Sequence, residues 1–441
     1  MLSALAVVSG LLVAPVLTAP AARASTVAQP ASRLGSPAPG GSGLGDEIAV
    51  PGGMPDGRLH PGTSRSTAGT MATSPSDSDA DGTVHMIYLS VADATTSSRD
   101  NYFTGFTAST ARALVSEMNS YWHAESEGAV TLVFGGFETR SLAAPTCDAN
   151  AVLSADSQVA FGGRFANYGW SGSNNHLIVV TREKCGGQAF ATVGGGGGGT
   201  IFSSFGISRS AGLPFLLHEF GHNLGLRHAD SSICKNTTTF DAPQAAFTLA
   251  STACPTAEYD DYLDIMGFSV TNATPHVSSP QLIQLGFLRD YAELTSRGGT
   301  TTIRLKPLGA TSGTRALQIT DPRSGDTYYI EYRAPVGADK SAAEFTGALR
   351  CNSAGGNYSS CEFDSNTTYG SIRVLRTIPY SAGGAGTTVL ATGLTAKSSD
   401  KKKRHTHLAS GNRFTAQDNG FTLTVNSLSP SRGASITVAF P

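Results

Sequence analysis

Apolar and polar residues follow two different rhythms along this chain, and the change falls near residue 295. Residues 83–93, TVHMIYLSVAD, are dense in β-branched and aromatic side chains, which predicts a buried strand. Ala111, Leu114, Val115, Met118 and Trp122 then recur at helical spacing, with Ser109 placed to cap the helix. AVTLVF (129–134), HLIVV (176–180) and AFATV (189–193) predict further strands, the last running into the glycines 194–199. Strand, helix and strands in this order predict an α/β unit with a mixed, twisted sheet. Leu213, Leu217, Phe220 and Leu224 mark a second helix with one buried face, in whose first turn Pro214 is tolerated.

After residue 295 no long helical pattern recurs. TTTIRLKPL, DTYYIEYRA, SIRVLRTI and TTVLAT are short strand-like runs. Phe421, Leu423 and Val425, then Ile436, Val438 and Phe440, alternate as one face of a strand does. This texture predicts a separate all-β, sandwich-like domain over 296–441, following a domain over 83–295.

The N-terminus reads differently again. MLSALAVVSGLLVAPVLTAPAARAS is apolar and ends in the small-x-small triplet Ala22, Arg23, Ala24, the pattern of a secretory signal peptide spanning 1–24. No later segment is apolar enough to span a bilayer. Residues 25–82 are rich in Pro, Gly, Ser and Ala without a sustained period, as in a propeptide or disordered linker. Within it Asp77, Asp79, Asp81 and Gly82 imitate half of a calcium loop, but Tyr88 stands where the loop needs a bidentate Glu; a calcium ion has no further support.

Export agrees with the six cysteines, Cys147, Cys185, Cys234, Cys254, Cys351 and Cys361. Pairing between sequence neighbours is the simplest of the connectivities open to them. A formal charge of -2 with 15% charged residues leaves no basic field for a nucleic acid partner. The one strongly basic stretch, KKKRHTH (401–407), predicts a solvated loop or, alternatively, one that docks to an acidic surface or polysaccharide. Asn236, Asn272, Asn357 and Asn366 each begin an N-x-S/T triplet, which matters only where the source glycosylates.

Chemistry concentrates in HEFGHNLGLRH, residues 218–228. His218 and His222 are four apart, so on a helix they sit one turn apart on one side, close enough to grip a single ion. Were the helix to continue, His228 would lie roughly 9 Å beyond His222 and about 120° off its face. Glycine at 225 allows a positive φ, which ends the helix and lets His228 return to the same ion. Three neutral ligands leave a zinc ion one open position for water, and Glu219 stands beside them as a general base.

The string HExxHxxGxxH, here His218, Glu219, His222, Gly225 and His228, resembles the signature of the metzincin zinc peptidases. That clan carries a methionine turn beneath the metal, and EYDDYLDIMGFS offers Met266 with Gly267 for the bend. HEFGHNLGLRHAD, YDDYLDIMG, SSPQLIQLGFL (278–288) and YYIEYRAPVGAD (328–339) bring the chain nearest to the gametolysin family of secreted metallopeptidases, over roughly 83–340. The resemblance implies a metzincin-like catalytic fold and endopeptidase action on extracellular or cell-wall proteins. It also implies substrate bound in extended form, added as a strand to a sheet edge, for which AFATV is the candidate, with the glycines after it either a rim allowing close approach or a plain flexible loop.

The chain departs from that pattern in two places. Phe268 replaces the tyrosine that some members use as a fifth ligand. No cysteine precedes Cys147, so latency would rest on another group, such as Asp56 or His60, or on steric cover. Asp230 is an alternative third ligand, although His228 fits the spacing better. The expected function is a secreted zinc endopeptidase; its competitor is an extracellular adhesin or carbohydrate-binding protein carrying a relict metal domain.

Overall fold

The computed structural model describes residues 46–48, 82–91, 106–142, 160–162, 174–181, 189–194, 198–203, 212–232, 234, 240–248, 251–267, 273–295, 298–342, 345, 369–379, 385–390, 393–396 and 402–441. The signal segment, Asp56, His60, Asp77, Asp79, Asp81, Phe268, the four N-x-S/T asparagines and Cys147, Cys185, Cys351 and Cys361 lie outside them. Every described residue belongs to one contact unit, Pro37–Pro441.

The first sheet has six strands in the order β1 (Asp46–Ile48), β5 (Ala189–Thr192), β6 (Gly199–Ser203), β4 (Asn175–Thr181), β2 (Gly82–Val91) and β3 (Leu132–Leu142). β2 runs parallel to both β3 and β4, β4 parallel to β6, and β5 antiparallel to β6, so the sheet is mixed. A parallel β2–β3 pair needs a crossover, and helix α1 (Ala108–Glu125) supplies it. Its buried residues include the five expected from spacing, Ala111, Leu114, Val115, Met118 and Trp122.

Two local expectations need correction. The helix begins one residue before Ser109, and Thr107 is its cap, its side chain accepting from Thr110 N at 3.4 Å. β3 starts at Leu132, not at Ala129, and runs through FGGF to Leu142, well past the expected end at Phe134; ladder pairing with β2, with one bulge between Val84 and His85, carries it there.

The second sheet has seven strands, in the order β8 (Thr256–Ala257), β7 (Ala229–Ser232), β14 (Ala385–Leu390), β13 (Ser371–Pro379), β12 (Thr327–Arg333), β11 (Ala316–Thr320) and β9 (Tyr291–Leu294). It takes strands from both sides of residue 295, because β7 pairs in parallel with β14 from Ala229↔Thr387 to Ser232↔Leu390. A third sheet, β10 (Gly299–Leu305), β19 (Ala434–Phe440), β18 (Thr422–Ser427) and β17 (Arg413–Thr415), is antiparallel throughout. Its Phe421, Leu423, Val425, Ile436 and Val438 share one core with Leu317, Tyr328, Ile330 and Val374 of the seven-stranded sheet, as two layers of a sandwich do.

A two-stranded ribbon joins β15 (Gly393–Ala396) to β16 (Lys402–His405). Lys402–His405 is therefore strand, not the loop its charge suggested: backbone pairing is indifferent to the side chains it carries. Among the described residues no helix is long and apolar enough to cross a membrane.

Candidate metal centre

Helix α2 (Leu213–Asn223) carries His218, Glu219 and His222. It is buried on nearly every side, not along a single face: Pro214, Leu216, Leu217 and every residue from His218 to Asn223 are buried. Phe220 packs between Trp122 and His176, at ring separations of 5.8 and 4.7 Å. Two glycines let neighbours approach this helix closely. A Cβ at Gly221 would run into Met266 Sδ, and one at Gly199 of β6 into the Asn223 amide.

Gly225 takes φ +96. Gly225 N donates to His222 O at 2.8 Å and Leu226 N to Gly221 O at 3.0 Å, a Schellman end in which the residue after the cap is left-handed. The reversal brings Leu226 O back within 2.9 Å of His222 Nδ1 and leads into β7, at whose threshold His228 stands. Gly194, just past β5, donates to His222 O at 2.9 Å from the other side.

The structure brings His218, His222 and His228 together: their ligand atoms lie within 4.8 Å of one another, and the residues are 5%, 0% and 3% exposed. Each ring is held through Nδ1. His218 Nδ1 donates to Ile265 O at 2.9 Å, His222 Nδ1 to Leu226 O at 2.9 Å, and His228 Nδ1 to the Glu258 carboxylate at 2.7 Å. A neutral imidazole that donates from Nδ1 keeps its lone pair on Nε2. His218 Nε2 is buried and meets no hydrogen-bond partner.

Burial pushes the His218 imidazole down to about 4, although the carbonyls of Ile265 and Gly267 oppose it. Burial, reinforced by the neighbouring histidines, pushes His222 and His228 well below the usual range. Three neutral, oriented imidazoles with converging nitrogens are what a zinc ion accepts, so the residues present fit a metal. Among the described residues this is the one group of three or more His, Cys, Asp or Glu side chains placed so that they could share a metal ion.

The remaining candidates fall around it. Glu219 is 1% exposed, next to His218 on the same helix. Met266 is fully buried against Gly221, between the two helical histidines. Its turn is tight: Met266 N donates to Asp264 Oδ1 at 2.8 Å, Gly267 N to Asp264 O at 3.0 Å, and a Cβ at Gly267 would collide with Asp261 O. Asp230 does not join the histidines; it is buried in β7, accepts from Tyr259 N at 3.0 Å, and is held well above the carboxylate range by burial and then by Glu258. Cys234 and Cys254 form a disulfide just beyond β7.

Sequence reasoning missed two neighbours of the third histidine. Glu258 orients His228, and Tyr259, at φ +60, packs its tilted ring with its centroid 3.9 Å from that of His228 and 6.0 Å from that of His218. A non-glycine residue at positive φ is uncommon and is held there by its surroundings. Both lie in EYDDYLDIMG, 30 residues after His228, and no fixed spacing points to them.

No family model matches the chain, and no curated protein matches it. Among solved structures, one titled "Structure of a chaperone-substrate complex" shares 19% identity over 46% of this chain and 31% of that one, at a TM-score of 0.24. This chain thus spans less than a third of that chain's length.

Proposed function

We propose that this chain is an exported metalloendopeptidase of metzincin type that uses one zinc ion. The observation that carries the reading is the orientation of the three histidines, each fixed through Nδ1 so that a second nitrogen faces the common point. Bound there, zinc supplies Lewis acidity, lowering the pKa of water to about 7 and polarising a carbonyl.

The protein's own groups do the rest. His218, His222 and His228 hold the ion without neutralising it. The Glu219 carboxylate takes the proton of the attacking water and delivers it to the departing amide nitrogen. Glu258 accepts from His228 and sustains its basicity. Met266 closes the floor of the site, so the two helical ligands cannot sink away from the third.

The substrate reaches the site as an extended peptide. The expected rim strand, β5, is not an edge: Asp46–Ile48 pairs with it in parallel, Asp46↔Phe190 to Ile48↔Thr192. A peptide adds at that position only once Asp46–Ile48 has left, which gives that strand a covering role without a cysteine.

The test uses mature protein on casein or gelatin, with and without chelator, beside Glu219→Ala. Hydrolysis should be lost with the chelator and in the variant. Undiminished activity in the variant, or none in the zinc-loaded wild type, would sink the reading.

A further inference from the structure

Three arginines on adjacent strands, Arg333 at the end of β12 and Arg373 and Arg376 on β13, are among the largest fully buried side chains of the molecule. Arginine is almost never fully buried unless paired, so each must be read through its partners. Arg376 closes a network of its own with Asp241 at 3.1 Å, Asp326 at 3.0 Å and Gln244 at 3.0 Å, lying over the rings of Phe247 and Tyr328.

Arg333 and Arg373 turn instead to the loop 261–267. Arg373 donates to the Asp261 carboxylate and stands 3.4 Å from Glu331. Arg333 donates to both oxygens of Asp339 at 2.7 and 2.6 Å, to Glu331 at 3.1 Å, to His276 O at 3.2 Å, and to Leu263 O. One planar fork thereby ties four stretches of chain together, which the three donors of a lysine on a single atom cannot reproduce.

The loop so held is the floor of the metal centre. Asp261 Oδ1 accepts from Leu263 N at 3.1 Å, and Asp261 N donates to Ala229 O, one residue past the third histidine, at 3.3 Å. Ile265 O receives His218 Nδ1, and Met266 lies against Gly221. The third histidine is gripped from the same sheet, for Thr387 N of β14 donates to His228 O at 3.0 Å.

We infer that Arg333 and Arg373 are positioning residues for the metal centre, acting through Leu263 and Asp261, and that the strands after residue 295 are part of the frame of that centre and not a separable module. The inference rests on the reading that the three histidines hold a metal ion. It assigns to the β region a role that an appended binding domain would not have.

The test takes the full mature chain, freed of metal, and titrates it with Co2+ alone, reading affinity and ligand-field absorption bands; it does not depend on peptidase activity. Arg373→Lys should weaken Co2+ binding roughly tenfold and alter the bands, the low end of what partners behind metal ligands contribute, because it acts through Asp261 and not on a histidine directly. Arg376→Lys, on the same strand and equally buried, should lower the melting temperature of the metal-free protein but leave Co2+ affinity within about twofold, since its network is independent of the loop. If Arg373→Lys does not fold, Asp261→Asn breaks the same pair from the other end and should show the same loss.

Co2+ affinity and bands unchanged in Arg373→Lys, or weakened as much by Arg376→Lys, would overturn the inference alone. Absence of Co2+ binding by the wild type would overturn it together with the metal reading.

Discussion

Replacing Gly225 by alanine isolates the device that brings the third histidine home. The new Cβ has room, the nearest heavy atom being Gly194 Cα at 3.8 Å, so the penalty is backbone strain alone. At φ +96 that strain is about 1–2 kcal/mol, offset in part by the roughly 0.4–1 kcal/mol that the stiffer unfolded chain returns. Gly286 provides the control. It closes the short helix α3 (Ser279–Gln284) through the same pair of bonds, Gly286 N to Ile283 O at 3.0 Å and Phe287 N to Leu282 O at 2.9 Å, at φ +73, with nothing within 4 Å of a Cβ. In the chelated protein Gly286→Ala should lose on the order of 1 kcal/mol, a fall of about 2–4 °C in the melting temperature, and Gly225→Ala less, because its bend is free to relax. Only Gly225→Ala should weaken zinc: the metal-free chain relaxes the bend, and the ion must restore it, which at 1–2 kcal/mol is roughly 5–30-fold in Kd. Competition against a chromophoric chelator measures it. Equal zinc affinity in Gly225→Ala and wild type, or equal losses in both variants, would refute the reasoning.

Three further outcomes follow from the same geometry. Glu258→Ala removes the acceptor of His228 Nδ1 and should weaken zinc about tenfold, the low end of what such partners contribute, because the 41% exposed side chain leaves water able to replace it; no change in zinc titration would contradict this. His176, donating to Asn223 Oδ1 at 2.9 Å, is pushed down to about 4 by burial. The unfolded imidazole gains its proton near 6.5, so this group's stability is full above that pH and is lost as pH falls toward 4. The urea stability of the chelated protein between pH 7 and 5 should thus decline about 2 kcal/mol less in His176→Gln than in wild type, and parallel declines would exclude the effect. Replacing Cys234 and Cys254 together by serine opens a crosslink across 20 residues and should lower stability by about 3 kcal/mol on chain-entropy grounds, read as a lower melting temperature under oxidising conditions; an unchanged value would count against it.

Local rules read much of this chain. Helical spacing located α1 and α2, β-branched runs located β2, β4 and β5, and neighbour pairing found Cys234–Cys254. The positions 218, 222, 225 and 228 were legible because one helix and one turn set their geometry. What stayed hidden was made by tertiary contact. α2 looked amphipathic because His218, Glu219 and Asn223 are polar, yet they are buried, with His218 bonded to Ile265 and Asn223 to His176, each 47 residues away. Nothing in the strand runs around Arg333, Arg373 and Arg376 marks them as buried, because the acids that meet them inside come from other segments. The pairing of β7 with β14 spans more than 150 residues of sequence, a distance over which no periodicity carries information.

One titration tests the three-histidine centre most directly. Metal-free mature protein, supplied with zinc in steps, should regain casein hydrolysis in proportion and saturate at one ion per chain, and the same titration of His228→Ala should restore nothing at that stoichiometry. Hydrolysis that survives removal of metal, or that His228→Ala recovers in full at one equivalent of zinc, would contradict the three-histidine centre.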